Sequence, residues 1–143
     1  MARVVNFQGN PLTLVGKKLK VGDKAPDFVV LDIPVCDIQA RRFNEAAAKL
    51  PDDVVIMNIS MDLLFAIEKF CNSAGINRVK VLSDHRDASF GNAYGVLIQE
   101  LRLLARSVFI IDRDDTIKYI EVVPEITNHP NYEKALEAVK SLL

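Results

Sequence analysis

The sequence predicts a single α/β domain in which helices cover both faces of a mixed β-sheet and a β-hairpin precedes the sheet. The first reason is that apolar runs typical of strands alternate along the chain with segments of helical periodicity. The second is size and composition: the chain has 143 residues, half of them hydrophobic and 26% charged. A chain of this length can bury one core without disulfides or metals. We therefore expect residues 1–143 to form one domain.

The chain begins with a predicted β-hairpin. Residues 4–7 and 12–15 are strand-like runs, and the turn-forming residues Gln8, Gly9, Asn10 and Pro11 separate them. The Gly9-Asn10 pair is expected to supply the positive φ that a tight turn needs. Residues 25–30 are predicted to be extended as well, because a residue before proline is disfavoured in helices.

The middle of the chain alternates between helix and strand patterns. A helix is predicted from Pro34, because proline at a helix entrance costs no hydrogen bond, and its apolar positions continue to Leu50. Residues 54–60 form a near-continuous apolar run, typical of a strand covered on both faces. A second helix is predicted from Asp62 to Gly75, and a short strand at residues 79–82.

The last third of the chain is predicted to contain a short helix, two neighbouring strands and a final helix. The short helix spans residues 87–94 and ends at Gly95; the strands span residues 106–111 and 116–122; the last helix has an apolar stripe from Tyr132 onward. This order of elements is that of a thioredoxin-like fold.

Charge and cysteine content exclude several classes of function. Eighteen basic residues oppose 19 acidic ones, so no net charge recruits nucleic acid or an anionic membrane surface. The sequence has no apolar run of membrane-spanning length and no signal-peptide pattern, and we expect a cytoplasmic protein. The spacing of the two cysteines and two histidines does not fit a zinc site. We expect no metal and no other cofactor.

Cys36 is the candidate reactive residue, because it lies at the predicted start of a helix. Unpaired backbone N–H groups and the helix dipole stabilise a thiolate there. A pKa lowered from about 8.5 to about 6 raises the thiolate fraction at pH 7 from roughly 3% to roughly 90%. That change corresponds to about 3.4 kcal/mol, more than a dipole supplies, so a cation is expected nearby. A buried structural cysteine is the alternative interpretation.

The remaining chemically interesting residues favour structural interpretations on pattern alone. Arg41 and Arg42 follow Cys36 on the same predicted helix, but an ion pair of Arg41 with Glu45 is the favoured interpretation. Cys71 lies on a core-facing stripe near a helix C-terminus, where the dipole does not activate a thiol. His85 and His129 are interpreted as surface histidines.

Several segments, taken together, resemble the bacterial thiol peroxidases, a family of atypical two-cysteine peroxiredoxins. The resemblance covers nearly the whole chain in order, and the opening hairpin distinguishes this group from other peroxiredoxins. The segments that carry it are residues 7–11, 25–28, 34–37, 42–44, 60–63, 65–66, 69–71, 93–96 and 104–109.

The resemblance implies both an activity and roles for three residues. Cys36 would be the peroxidatic cysteine, Cys71 the resolving cysteine, and Arg106 the cation beside the Cys36 thiolate. The thiolate would reduce hydrogen peroxide or an alkyl hydroperoxide and become a sulfenic acid, which Cys71 would convert to an intramolecular disulfide. A thioredoxin-type dithiol would reduce that disulfide, and the protein is expected to be a homodimer.

Two features before Cys36 depart from the family. The family pattern places a proline and a peroxide-binding threonine where this chain has Val29 and Ile33. The stretch is also too short: a strand, a turn and a further strand before the cysteine need roughly 20 residues. Either the chain has lost a segment near residues 30–34, or the sequence as given omits one. We favour omission, because losing a central strand should unfold the domain.

Two other functions stay open on the sequence alone. The chain could be a thioredoxin-fold module that senses redox state or binds a partner without peroxidase activity, in which case the pKa of Cys36 would be near 8.5. Alternatively, it could be a small α/β ligand-binding domain with two inert thiols.

Overall fold

The structure is a computed structural model that describes residues 3–33, 54–61 and 79–143. Both cysteines and the helices predicted from Pro34 and from Asp62 lie outside these residues. The chain divides into two compact units, Met1–Phe28 with Ser89–Leu143, and Val29–Ala88. The described elements are β1 (Arg3–Phe7), β2 (Asn10–Val15), β3 (Leu31–Ile33), β4 (Ile56–Ser60), β5 (Val79–Ser83), α1 (Ser89–Tyr94), β6 (Leu97–Ile98), β7 (Leu103–Leu104), β8 (Ser107–Ile111), β9 (Ile117–Val122) and α2 (Tyr132–Lys140).

The predicted N-terminal hairpin is confirmed, with its turn displaced by one residue. Strands β1 and β2 pair antiparallel, and Asn10 is already the strand partner of Phe7. The turn therefore consists of Gln8 and Gly9, whose φ angles are 50° and 83°. Two-residue hairpin turns of this kind need positive φ at both central positions. The prediction that Asn10 supplies a positive φ is wrong, because Asn10 is already part of strand β2.

Two short strands that the sequence pattern did not predict extend this hairpin. Strands β6 and β7 form a second hairpin, and the sheet order is β1-β2-β6-β7. The Glu100 carboxylate joins the two hairpins by accepting hydrogen bonds from the Thr13 backbone N–H at 2.8 Å and from the Thr13 hydroxyl at 2.9 Å. These bonds, the backbone one first, lower the pKa of Glu100.

The short helix α1 ends where predicted, at a glycine. Gly95 has a φ of 69°, and a side chain there would collide with the backbone carbonyl of Lys17. The helix begins at Ser89, two residues later than expected. Its last residue, Tyr94, is only 2% exposed and belongs to the core of this unit, together with Val5, Leu14, Leu19, Val96, Ile98, Ala105 and Ile117.

The C-terminal strands and helix match their predicted positions closely. Strands β8 and β9 pair antiparallel in a two-stranded sheet, and α2 packs against both. In the turn between them, the Asp112 carboxylate accepts hydrogen bonds from the backbone N–H groups of Asp114 and Thr116. Neither described helix is long and apolar enough to cross a membrane.

The second unit contains a three-stranded mixed sheet. Its order is β3-β5-β4, with β3 antiparallel and β4 parallel to β5. The extended piece predicted at residues 25–30 forms no strand; the strand begins at Leu31. The prediction that residues 54–60 are covered on both faces is wrong, because Val55 is 63% exposed and Met57 47% exposed. Strand β4 lies at the edge of its sheet, where one side has no described neighbour.

Candidate functional site around Arg106

Of the three site residues predicted from the resemblance, the structure describes Arg106. Cys36 and Cys71 lie outside the described residues, and so do Arg41 and Arg42. The backbone of Ile33 is described: it ends β3 and pairs with Val81 of β5. The described part of the candidate site consists of Arg106 and the residues that hold it.

The backbone on either side of Arg106 is fixed by hydrogen bonds from two directions. The Arg106 carbonyl accepts from the Val123 N–H at 2.9 Å, and the Ala105 N–H donates to the Val96 carbonyl at 2.8 Å. Ala105 and Val96 are 4% and 0% exposed, so this link lies in the core. The backbone of Arg106, directly before β8, is thus held in place on both sides.

The guanidinium of Arg106 is held by the loop between β9 and α2. Its Nε donates to the Ile126 carbonyl at 2.8 Å. Its Nη1 lies 3.4 Å from Nδ1 of His129. Nη2 carries two further N–H donors, and these make no hydrogen bond with the described residues. A guanidinium that is fixed at two nitrogens and open at the third can present its charge in one direction.

The Ile126 end of that loop is fastened to the N-terminal hairpin. The Asn6 N–H donates to the Pro124 carbonyl at 2.6 Å, and the Ile126 N–H donates back to the Asn6 carbonyl at 2.9 Å. The Glu125 carboxylate accepts from the backbone N–H of Gln8 at 2.8 Å. It also accepts from the Thr127 hydroxyl at 3.1 Å. The bond from Gln8, the largest effect, lowers the pKa of Glu125.

The lowered pKa of Glu125 predicts how the stability of the protein depends on pH. A carboxylate whose pKa is lower in the folded protein stabilises the fold above its unfolded pKa of about 4.3, and this contribution disappears as the pH falls through the folded value. We expect Glu125→Gln to lose less stability than the wild type between about pH 6 and pH 3. The urea midpoint at several pH values measures this difference.

Glu137→Gln is the matched control for Glu125→Gln. Glu137 is exposed on α2, and its side chain makes no hydrogen bond with the described residues. Its substitution should leave the pH dependence of the urea midpoint as in the wild type. If Glu125→Gln loses as much stability in acid as the wild type, the contact with Gln8 does not contribute to folding stability.

The His129 end of the loop is fixed by the start of α2. Asn131 caps this helix by accepting from the Lys134 N–H at 3.0 Å, and the Asn131 N–H itself donates to Glu121 of β9 at 3.0 Å. The Tyr132 hydroxyl lies 3.3 Å from Nδ1 of His129. His129 is exposed, as predicted for a surface histidine, but the same ring contacts Arg106. The sequence did not predict this contact, because His129 lies in a loop 23 residues from Arg106 along the chain and belongs to no periodic pattern.

A cluster of four aromatic rings includes Phe109 of strand β8. Phe28, Phe90, Tyr94 and Phe109 contact one another, with the Phe90 and Tyr94 rings stacked at 4.5 Å and the Tyr94 and Phe109 rings edge to face at 5.1 Å. The Tyr94 hydroxyl donates to the Pro26 carbonyl at 3.0 Å. Burial first, then the charges of Asp27 and Asp115, raises the pKa of Tyr94, so the hydroxyl stays a donor.

Comparison with known proteins gives consistent matches along the chain. The sequence profile of the Redoxin family matches residues 28–136. A protein named thiol peroxidase from Halalkalibacterium halodurans is 49% identical, with 97% of this chain and 98% of that protein aligned. The thiol peroxidase of Bacillus subtilis is 51% identical over the same shares of both chains.

Solved structures agree with these sequence matches. The crystal structure of a peroxiredoxin-like protein from Aquifex aeolicus superposes with a TM-score of 0.89 at 40% identity and covers 100% of this chain and 99% of its own. The thiol peroxidase from Chromobacterium violaceum has a TM-score of 0.79 at 15% identity, over 96% of this chain and 95% of that chain. The predicted thioredoxin-like α/β fold is confirmed by these neighbours.

The alignments also contain positions that this chain lacks. The match to the Halalkalibacterium protein runs over 164 positions, whereas 97% of 143 residues is about 139 residues. About 25 aligned positions therefore have no residue here.

Proposed function

This chain belongs to the Redoxin family, and on that premise we propose that it reduces peroxides through a sulfenic acid on Cys36 and a disulfide between Cys36 and Cys71. It is an enzyme, a thiol peroxidase of the peroxiredoxin type. The observation within the structure that best supports the proposal is Arg106, whose guanidinium is held at Nε and Nη1 and whose Nη2 makes no hydrogen bond with the residues that the structure describes.

The proposed reaction has three steps. The Cys36 thiolate attacks one peroxide oxygen, the O–O bond breaks, and the alkoxide or hydroxide leaves and takes up a proton, so that Cys36 becomes a sulfenic acid. The Cys71 thiol then attacks that sulfur and water leaves, forming the disulfide. A thioredoxin-type dithiol supplies the two electrons that return both cysteines to thiols.

Arg106 contributes to the first step by stabilising negative charge. A positive group near a thiol favours the thiolate and so raises the fraction that can react at neutral pH. The same charge stabilises the oxygen that leaves with the electron pair of the broken bond. We propose that Arg106 is the cation that activates Cys36.

The proposal includes partners and setting. The substrates are hydrogen peroxide and alkyl hydroperoxides, the reductant is a thioredoxin-type protein, and the enzyme acts as a homodimer in the cytoplasm. Ile33, at the position of the family's peroxide-binding threonine, cannot offer a hydroxyl to the peroxide. This residue is what favours the alternative of a redox-sensing or partner-binding module without turnover.

The test is consumption of peroxide in the presence of thioredoxin, thioredoxin reductase and NADPH. A thioredoxin-dependent peroxidase oxidises NADPH in proportion to the peroxide added and stops when thioredoxin is left out. A protein that is oxidised once by peroxide but shows no turnover with this reductant would support the sensing alternative.

We also propose that the complete protein carries a further segment between Val30 and Pro34. The missing positions in the alignment support this, because they number about 25 and a strand with its connections needs roughly 20.

The intact mass of the protein expressed from its own gene tests this segment. At the average residue mass of this 16.0 kDa chain, 25 residues add about 3 kDa. We expect a mass near 19 kDa. A mass of 16.0 kDa would establish a true deletion.

A further inference from the structure

The unit that contains both hairpins also contains an apolar pocket that the proposed reaction does not use. Side chains from β1, β2, α1, β8 and β9 line this pocket, and Arg106 is not among the described lining residues. The cavity volume is about 370 Å³, within the range of sites that bind small molecules. All the described lining residues belong to this one unit.

The apolar lining combines core side chains with side chains that are incompletely covered. Val5 and Leu14 are only 2% and 7% exposed. Phe109, Ile120 and Val122 pack against the same core, yet each is only half-buried. An apolar ligand in the pocket would remove further surface of these three side chains from water, which is favourable.

Two cations line the pocket, and both lie at the open end of the β1–β2 hairpin. Arg3 begins β1 and pairs with Leu14 of β2. Its Nη2 donates to the Gly16 carbonyl at 3.0 Å, and Lys18 follows Gly16 by two residues. Its Nη1 donates to the Gly95 carbonyl at 2.8 Å. Both acceptors are neutral, so these bonds orient the guanidinium without compensating its charge.

The positive charge has no counterpart among the described lining residues, since none of them is acidic. Lys18 is exposed, and its side chain makes no hydrogen bond or ion pair with the part of the chain that the structure describes. Arg3 likewise has no ion pair there. The ligand that complements this pocket is therefore apolar along most of its length and anionic at one end.

The dimensions of the pocket limit the length of such a ligand. Pro124, another lining residue, accepts a hydrogen bond from the N–H of Asn6, three residues beyond Arg3 on β1. At about 3.3 Å per residue, the lining extends roughly 10 Å from Arg3. At roughly 30 Å³ per non-hydrogen atom, the share of a water molecule in the liquid, a volume of about 370 Å³ holds about twelve such atoms, the size of decanoate.

We propose that this pocket is a binding site for a free medium-chain aliphatic carboxylate. The Arg3 guanidinium and the Lys18 ammonium bind the carboxylate, and the alkyl chain lies against the half-buried side chains of β8 and β9. The site is independent of the proposed peroxidase function, because it uses neither cysteine and does not use Arg106.

Isothermal titration calorimetry with decanoate, on the protein expressed from its own gene, tests the site. We expect saturable binding of one molecule per chain. Lys18→Met should weaken decanoate binding about three- to tenfold, and Arg3→Met about tenfold or more. The matched control is Lys20→Met, because Lys20 is also exposed but is not a described lining residue; its affinity should stay within about twofold of the wild type.

Decanol separates recognition of the charge from a general change in the pocket. It has the same alkyl chain but no charge, so Lys18→Met should leave its affinity unchanged. An equal loss of decanoate and decanol binding in Lys18→Met would overturn the proposed role of the cations. So would a loss in Lys20→Met as large as that in Lys18→Met. Urea midpoints show whether Arg3→Met is folded, and Lys18→Met tests the charge even where it is not.

A series of carboxylates of increasing length tests the pocket itself. From hexanoate to decanoate, each added methylene should raise the affinity about two- to fourfold, and tetradecanoate should bind no more tightly than decanoate. An affinity that rises at the same rate through tetradecanoate would indicate adsorption on an open surface and would overturn the proposal. No saturable binding of decanoate up to about 1 mM, the weak end of specific affinity, would overturn it as well. Peroxide consumption measures the proposed function separately, and neither result depends on the other.

Discussion

Cys36→Ser is expected to abolish peroxide consumption. A serine hydroxyl is not ionised at neutral pH and has no accessible sulfenic state, so the first step has no nucleophile. The assay is NADPH oxidation coupled through thioredoxin and its reductase, and the loss should reach the limit of detection, at least about a thousandfold. A variant that keeps the wild-type rate would contradict the role of Cys36 and the proposed mechanism with it.

Cys71→Ser separates the two halves of the cycle. We expect this variant to consume one equivalent of peroxide and then stop with thioredoxin as reductant, because the sulfenic acid forms but no intramolecular disulfide follows. Quench-flow measurement of peroxide and mass spectrometry of the trapped sulfenic acid record both outcomes. Full turnover in Cys71→Ser would show that another group resolves Cys36.

Titration of the free thiols in the wild type, after reaction with peroxide, tests the interpretation that both cysteines are inert. One equivalent of peroxide should remove both free thiols, since each disulfide consumes two. Retention of both thiols would support the ligand-binding domain with unreactive cysteines.

Elements with local signals were predictable from sequence. The first hairpin, β5, the β8–β9 pair and the end of α1 at Gly95 depend on turn residues and periodicity within short windows. Strands β6 and β7 were missed because each has two residues, too few to show alternation. Their pairing with β2 is decided by contacts distant in sequence, such as Glu100 with Thr13.

The burial of the strands was less predictable than their positions. An apolar run of residues 54–60 indicates burial on both faces only if neighbouring strands and helices cover it. In this chain β4 has a neighbour on one side, β5, and Met57 stays 47% exposed. A segment inserted before Cys36 would change that environment without changing the local sequence.

The candidate site was likewise predictable only where the signal is local in sequence. Composition and spacing made Cys36 a candidate and required a cation, but did not identify it. Arg106 followed from the family resemblance alone, because an arginine before a strand is ordinarily a surface charge. The contact of His129 with Arg106 is made by a loop, and only the structure revealed it.

Arg106→Met is expected to slow the reaction of Cys36 with peroxide by up to about 300-fold at pH 7. Without the cation the pKa of the thiol should rise toward about 8.5, less the contribution of the helix start, so the thiolate fraction at pH 7 falls by up to about 30-fold. Loss of charge stabilisation at the leaving oxygen adds up to about tenfold more. Stopped-flow single-turnover rates against pH measure both parts.

The two contributions of Arg106 separate at high pH. At about pH 9.5 the thiol of Arg106→Met is ionised, so the part due to the thiolate fraction should be recovered and any remaining deficit reports stabilisation of the leaving oxygen. Arg106→Lys should fall between wild type and Arg106→Met, since an ammonium keeps the charge but cannot bind Ile126 and His129 in the same plane.

Arg102→Met is the matched control, because Arg102 is exposed in the β6–β7 turn and its side chain has no hydrogen bond with the described residues. Its rate should equal that of the wild type at every pH. Urea midpoints for the variants show whether the bond to Ile126 also contributes to stability. A wild-type rate for Arg106→Met at pH 7 would mean that another cation activates Cys36, and Arg41 and Arg42 would be the next residues to substitute.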